Sequence, residues 1–115
     1  MAEQFLYLTT KGRKTGEPRR IEIWFVEHKG RHYIVSERRE ESHWVKNIQH
    51  DGSVTFSVGT REDRGAVVPA SRATGRVVRE EEEPALVREV RALMDAKYRW
   101  SDGLVVEIGP LCAPR

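Results

Sequence analysis

Between Thr9 and Arg19 the chain reads Thr-Thr-Lys-Gly-Arg-Lys-Thr-Gly-Glu-Pro-Arg, which gathers hydroxyls, two glycines and four cations into one short stretch. Glycine at positions 12 and 16 lets the backbone turn so that amide N–H groups face an anion, and Lys11, Arg13, Lys14, Thr15 and Arg19 add side-chain donors. This pattern predicts capture of a phosphate or carboxylate. The stretch is not a Walker-type loop, because the Gly-Lys-Thr ending and the following helix are both missing. From spacing alone, a solvated β-turn whose cations serve only solubility fits equally well.

Other reactive side chains form no comparable constellation. His28 and His32 flank a turn, and His43 and His50 stand at opposite ends of a short helical stretch. None has the spacing of a metal site, and all four are expected at the surface. The single Cys112 cannot make an internal disulfide and is expected to have no catalytic role. Trp44 and Asn47 lie close together on the same helical stretch, with structural readings of their own: a core anchor for Trp44 and a cap for Asn47.

These residues need elements to position them. Phe5 to Thr10 reads as a strand that stops at Gly12. From Arg20 to Glu27, Ile21, Ile23 and Phe25 occupy one face while Glu22, Trp24 and Val26 occupy the other, a second strand of period two. His28-Lys29-Gly30 turns into Arg31 to Ser36, a third strand antiparallel to the second, so the three form a meander. Glu40 to Gln49 predicts a short helix with Ser42 as its cap, ended by Asp51-Gly52. Val54 to Val58 is a fourth strand. Two weaker strands are expected near Gly65 to Pro69 and Arg72 to Arg79, with Gly75 marking a bulge or a close backbone approach. Glu81 to Tyr98 is the main helix, with Leu86, Val90, Leu93 and Met94 on its apolar face and acidic residues at its start suiting the helix dipole. Leu104 to Ile108 closes the series. The pattern predicts one mainly β domain over residues 1–115: a barrel of six or seven antiparallel strands with two helices.

Composition narrows the function classes. With 38% apolar and 33% charged residues the chain is globular in character, and no run approaches the roughly 20 apolar residues of a membrane span. A net charge of +2 is too small to imply nucleic-acid binding through bulk electrostatics. Its distribution is uneven: five cations stand between Lys11 and Arg20 against Glu17 alone, whereas Glu80 to Glu83 is an acidic run. Met1 to Gln4 shows no secretory signal, so a cytoplasmic location is expected.

The order of the motifs is more specific than any one of them. The Thr-Thr-x-Gly-Arg-Lys-Thr-Gly-x-Pro-Arg loop, then Trp24-Phe25-Val26, the Gly30 turn, Tyr33-Ile34-Val35-Ser36 and Trp44-Val45-Lys46-Asn47-Ile48 together resemble the deazaflavin-dependent nitroreductase family. That family is a branch of the split β-barrel, FMN-binding-like superfamily, and the resemblance runs from about Leu6 to Gly59.

The resemblance implies a site for coenzyme F420, with FMN as the alternative cofactor. Carried over position by position, Lys11, Gly12, Arg13, Lys14, Thr15 and Arg19 surround phosphate or tail carboxylates. Arg38 reaches the phosphate from beyond the third strand, Trp44 and Asn47 border the deazaflavin ring, and Ser36 donates to the cofactor. The implied activity is F420H2-dependent reduction of a quinone, nitroaromatic or activated alkene. No catalytic side chain is required, because the cofactor carries the hydride. An apolar cleft rimmed by Trp24, Trp44 and Tyr98 is expected to hold the acceptor.

One departure stands out: Glu37-Arg38-Arg39-Glu40-Glu41 is bulky and charged where the family commonly has small glycines. The second reading is therefore a non-catalytic flavin, deazaflavin or heme binding protein on the same barrel. A nucleic-acid module ranks last, since Glu27, Glu37 and Glu40 interrupt the basic surface. A homodimer is expected, with exposed Trp24 or Trp100 covered at its interface.

Overall fold

The computed structural model describes residues 4–110, and Cys112 lies outside them. Seven strands form one antiparallel sheet: β1 (Phe5–Lys11), β2 (Pro18–Ile23), β3 (Val26–His28), β4 (Arg31–Ser36), β5 (Ser53–Gly59), β6 (Val68–Val78) and β7 (Leu104–Pro110). Their order across the sheet is β2-β1-β5-β6-β7-β4-β3. The two edge strands, β2 and β3, are consecutive in the chain and separated only by Trp24 and Phe25. A sheet whose two edges are joined by so short a link must curl back on itself, which gives a split barrel.

That link replaces the continuous second strand expected from Arg20 to Glu27. The faces are as the alternation implies: Ile21, Ile23 and Phe25 point to the barrel core and Val26 to the other side. The break has a long-range cause. Tyr98 Oη accepts from the Phe25 N–H at 3.2 Å and donates to the Phe25 carbonyl at 3.0 Å, and Lys97 Nζ donates to the same carbonyl at 2.8 Å. Side chains from a distant helix thus satisfy the Phe25 backbone groups, and no ladder partner is needed there. In consequence the expected meander becomes two hairpins, β1–β2 and β3–β4, at opposite edges of the sheet.

The two weak strands expected around 65–69 and 72–79 are one, β6, which pairs with β5 on one side and β7 on the other. The register irregularity falls at Phe56/Val58, away from Gly75. Gly75 marks a close approach: a Cβ there would stand 3.1 Å from Ile48 Cδ1, and its N–H donates to the Gly52 carbonyl at 2.8 Å.

Helix α1 (His43–His50) follows a single 3-10 turn at Arg39–Glu41, so the helix starts later than the expected Glu40. Ser42 between them is extended, and its hydroxyl pairs with Ser36 Oγ at 2.8 Å instead of capping. Helix α2 (Pro84–Tyr98) begins at a proline, which has no N–H to leave unsatisfied in the first turn. The acidic run Glu80 to Glu83 accordingly forms the turn before the helix and not its first turn.

Two apolar cores result. Inside the barrel, Leu6, Leu8, Ile34, Val58, Val106 and Ile108 pack with Val45 and Ile48 of α1. On the outer face, Val87, Val90 and Met94 of α2 cover Val26, Tyr33, Val35, Val78 and Val105. Each such fully buried side chain stabilises the fold by roughly 1.5–3 kcal/mol relative to exposure. His32 is a correction to the expected surface histidines. It is 8% exposed beside the Phe25 and Phe56 rings, and burial holds its pKa below the usual histidine value.

Candidate cofactor and substrate cleft

The loop between β1 and β2 is fixed from beneath by α1. Asn47, 3% exposed, accepts from the Arg13 backbone N–H at 3.2 Å and from Arg13 Nη1 at 3.0 Å, and donates to Thr10 Oγ1 at 3.0 Å. Within the loop, the Gly12 N–H bonds the Glu17 carbonyl, the Gly16 N–H bonds the Gly12 carbonyl, and the Glu17 N–H bonds Thr15 Oγ1. The expected cradle of backbone amides is therefore largely spent internally. What faces the cleft is a cradle of side chains.

Those side chains line a cavity of about 670 Å³. Gly12, Arg13, Lys14, Thr15 and Arg19 come from the loop, Arg20 and Ile21 from β2, and Arg38, Ser42, His43, Trp44 and Asn47 from the segment around α1. Five cations line it and no carboxylate does. Arg19 is drawn to Glu17 at 3.8 Å, and Arg13 Nη2 approaches His43 Nδ1 at 3.5 Å. Lys11 is placed elsewhere. It lines a smaller groove on the far side of the hairpin with Thr9, Ser53, Thr55 and Arg72.

A second cavity, of about 580 Å³, adjoins the first and shares Arg38, Ser42 and Trp44 with it. Its remaining wall is Phe5, Ile23, Trp24, Val35 and Trp100, with Ser36, Glu22 and Glu37 at its polar margin. Trp24 stacks face to face on Tyr98, centroids 4.4 Å apart, so Tyr98 buttresses the cleft from behind where it was expected on the rim. Even so, Trp24 remains 38% exposed.

Ser36 and the charged segment form the boundary between the chambers. Ser36, 2% exposed, donates to the Arg39 carbonyl at 2.9 Å besides pairing with Ser42, so its hydroxyl braces the rim. Arg39 has the left-handed conformation (φ 54°) that a glycine would adopt without cost. Its side chain pairs with Asp102 at 3.1 Å, and Glu40 pairs with Arg79. Arg39 and Glu40 are thereby led away from the cleft, whereas Glu37 and Arg38 line it. Glu22 receives Tyr7 Oη at 2.8 Å and the Arg61 guanidinium at 3.1 Å, and these hydrogen bonds, Arg61 first, hold its carboxyl below the usual range.

Sequence reasoning had not selected Arg20, Ile21, Ser42 or His43 in the basic chamber, nor Phe5, Glu22, Ile23, Val35 and Glu37 in the other. Arg20 belongs to the same cation run as Arg19 and was legible there. The others meet only through the curl of the sheet.

The fold is shared with solved proteins. HutZ, a heme storage protein from Vibrio cholerae, superimposes with a TM-score of 0.70 at 16% identity, covering 95% of this chain and 82% of its own. Rv2991 from Mycobacterium tuberculosis gives 0.70 at 17%, covering 98% and 74%. An F420-H2 dependent reductase, FDR-A, gives 0.58 at 24%, covering 94% and 96%. No curated protein matches the sequence significantly. Among the described residues no helix is long and apolar enough to cross a membrane, and no cluster of potential metal ligands occurs. Residues 1–99 match the F420H(2)-dependent quinone reductase family, whose cofactor suits a chamber lined by five cations and walled by an indole; the chain belongs to that family and is an F420-dependent oxidoreductase.

Proposed function

We propose that this oxidoreductase transfers a hydride from reduced F420 to a small planar acceptor, a quinone, nitroaromatic or activated alkene, seated in the aromatic chamber. The observation that carries the reading is the meeting of two chambers at one wall, Arg38, Ser42 and Trp44, with cations on one side and aromatic rings on the other. In this reading Arg13, Lys14, Thr15, Arg19 and Arg38 hold the anionic handle through charge-assisted hydrogen bonds. Gly12 keeps the loop turned and Trp44 lies against the ring. Asn47 and Ser36 act through others, one fixing Arg13 and the other bracing the rim. Lys11 has no part in it.

When bound, the deazaflavin supplies the hydride chemistry, and the protein needs no general base. The chain's own work is to bring acceptor and cofactor together. Trp24, Trp44 and Trp100 offer flat apolar surface on which a planar acceptor stacks, and they exclude water from the junction. Fluorescence titration of the purified protein with F420, FMN and heme tests the reading. F420 is expected to bind most tightly, and F420H2 is expected to be oxidised on adding a quinone. Tighter binding of FMN or heme, or binding of F420 with no turnover across quinones and nitro compounds, would overturn it.

A further inference from the structure

The two chambers differ in the sign of their charge. Five cations line the first with no carboxylate. The second carries Glu22 and Glu37, and its single cation, Arg38, is the residue it shares with the first. The charge of Glu22 is answered by Arg61, which lies on it with two nitrogens. Glu37 has no side-chain hydrogen bond or ion pair within the described residues, and it is exposed on the rim.

An anionic cofactor handle held in the first chamber answers Arg38 along with its neighbours, so the second chamber is left with net negative charge. Coulomb repulsion then acts on any acidic acceptor placed among Trp24, Trp44 and Trp100. For one unit charge near 6 Å, at the intermediate screening of a half-open cleft, this repulsion is worth about tenfold in affinity. The same rings favour a cation, which gains from both the carboxylate and the aromatic faces.

We infer that the aromatic chamber selects acceptors by charge, taking neutral or cationic planar aromatics and rejecting anionic ones, with Glu37 as the specificity-determining residue. The inference rests on the proposed occupancy of the basic chamber by an anion and extends it to the partner in the reaction. Glu37 acts through space and needs no hydrogen bond to the acceptor. Its side chain is outside both cores, so replacing it leaves the fold intact.

A series matched in shape supplies the test: 4-nitrobenzyl alcohol, 4-nitrobenzoate and 4-nitrobenzyltrimethylammonium, titrated calorimetrically into protein saturated with F420. The anion is expected to bind about tenfold more weakly than the alcohol, and the cation at least as tightly as the alcohol. Glu37→Gln is expected to close most of the gap between alcohol and anion, and Glu37→Lys to reverse it. Equal binding of the anion and the alcohol to the unaltered protein overturns the inference, as does a gap that neither substitution changes. Should F420 itself fail to bind, the functional reading falls separately. The same titrations with inorganic pyrophosphate filling the basic chamber then decide the charge selection independently.

Discussion

Two clusters of charge on this small barrel obey opposite rules. Beneath the start of α2, Glu107 is 4% exposed and accepts Arg31 Nη1 at 2.9 Å, Tyr33 Oη at 2.7 Å and Arg76 Nε at 2.9 Å. Arg76 also holds Glu83 at 2.6 Å, so two guanidiniums meet two carboxylates and every charge is matched. In the basic chamber, cations from three segments converge with only a distant contact between Arg19 and Glu17 to offset them. Like charges held together destabilise the compact state. The difference teaches that the first cluster is complete as a folded protein, whereas the second leaves its cations unanswered, as the proposed hold on an anionic cofactor requires.

The comparison breaks most forcefully at Glu107. Glu107→Ala strands the buried Tyr33 hydroxyl and uncouples both arginines, so unfolding by urea should show a loss of about 3 kcal/mol. The value is at the low end for a buried pair because Arg31 and Arg76 are 42% and 45% exposed and water can serve them. Burial alone would raise the Glu107 pKa, but hydrogen bonds from Arg76 and Tyr33 outweigh it and hold the carboxyl below the usual glutamate range. A depressed carboxyl contributes stability above its unfolded value and loses it as pH falls through the folded one. Wild-type stability should therefore fall on acidification below about pH 4.5, and the variant's curve should be flatter there. Affinity for F420 should be unaffected, and a parallel loss of binding would mean that the two clusters are not independent.

The complementary change is Lys14→Ala combined with Arg38→Ala. Neither side chain makes a hydrogen bond or ion pair within the described residues, so their removal should alter stability by no more than about 0.5 kcal/mol. F420 affinity should drop about 100-fold, the loss of two charge-assisted contacts. The difference from wild type should shrink as salt is added. A double variant that binds F420 normally but unfolds more easily would reverse the distinction between the regions.

The same division explains what could be read from the sequence. Alternation from Ile21 to Val26 reports correctly which face each residue takes, because the period of two is local chemistry. That Trp24 and Phe25 interrupt a run of perfect alternation depends on Tyr98 and Lys97, more than seventy residues away. No local pattern encodes that contact. Much of the basic chamber was legible because Arg13, Lys14 and Arg19 are near neighbours in sequence, while Arg38 entered only through the family resemblance. The aromatic chamber was legible only in part: Trp24 and Trp44 were expected at its rim, but Phe5, Val35 and Glu37 join them only after the sheet has curled. Lys11 shows the opposite error, since it shares the cation run but lies on the other side of the hairpin.

Asn47 sits on the line between the two kinds of cluster and offers the finest test of it. Its amide oxygen accepts twice from Arg13 and its nitrogen donates to Thr10, so it has the paired character of the Glu107 network, yet what it fixes is a cation of the open chamber. Asn47→Ala should cost about 1–2 kcal/mol, since buried Thr10 Oγ1 loses its partner. Affinity for F420 should fall only about fivefold, because Arg13 keeps its charge but must be ordered by the ligand. Asn47→Asp separates the two effects. A carboxylate still accepts from Arg13, and the Thr10 hydroxyl can rotate to donate to it, so stability should recover. The new negative charge in the chamber should meanwhile push F420 affinity below that of the alanine variant. If Asn47→Ala instead lowered affinity as much as the Lys14 and Arg38 pair while leaving stability untouched, Asn47 would be a direct ligand contact and its place with the satisfied residues would be lost.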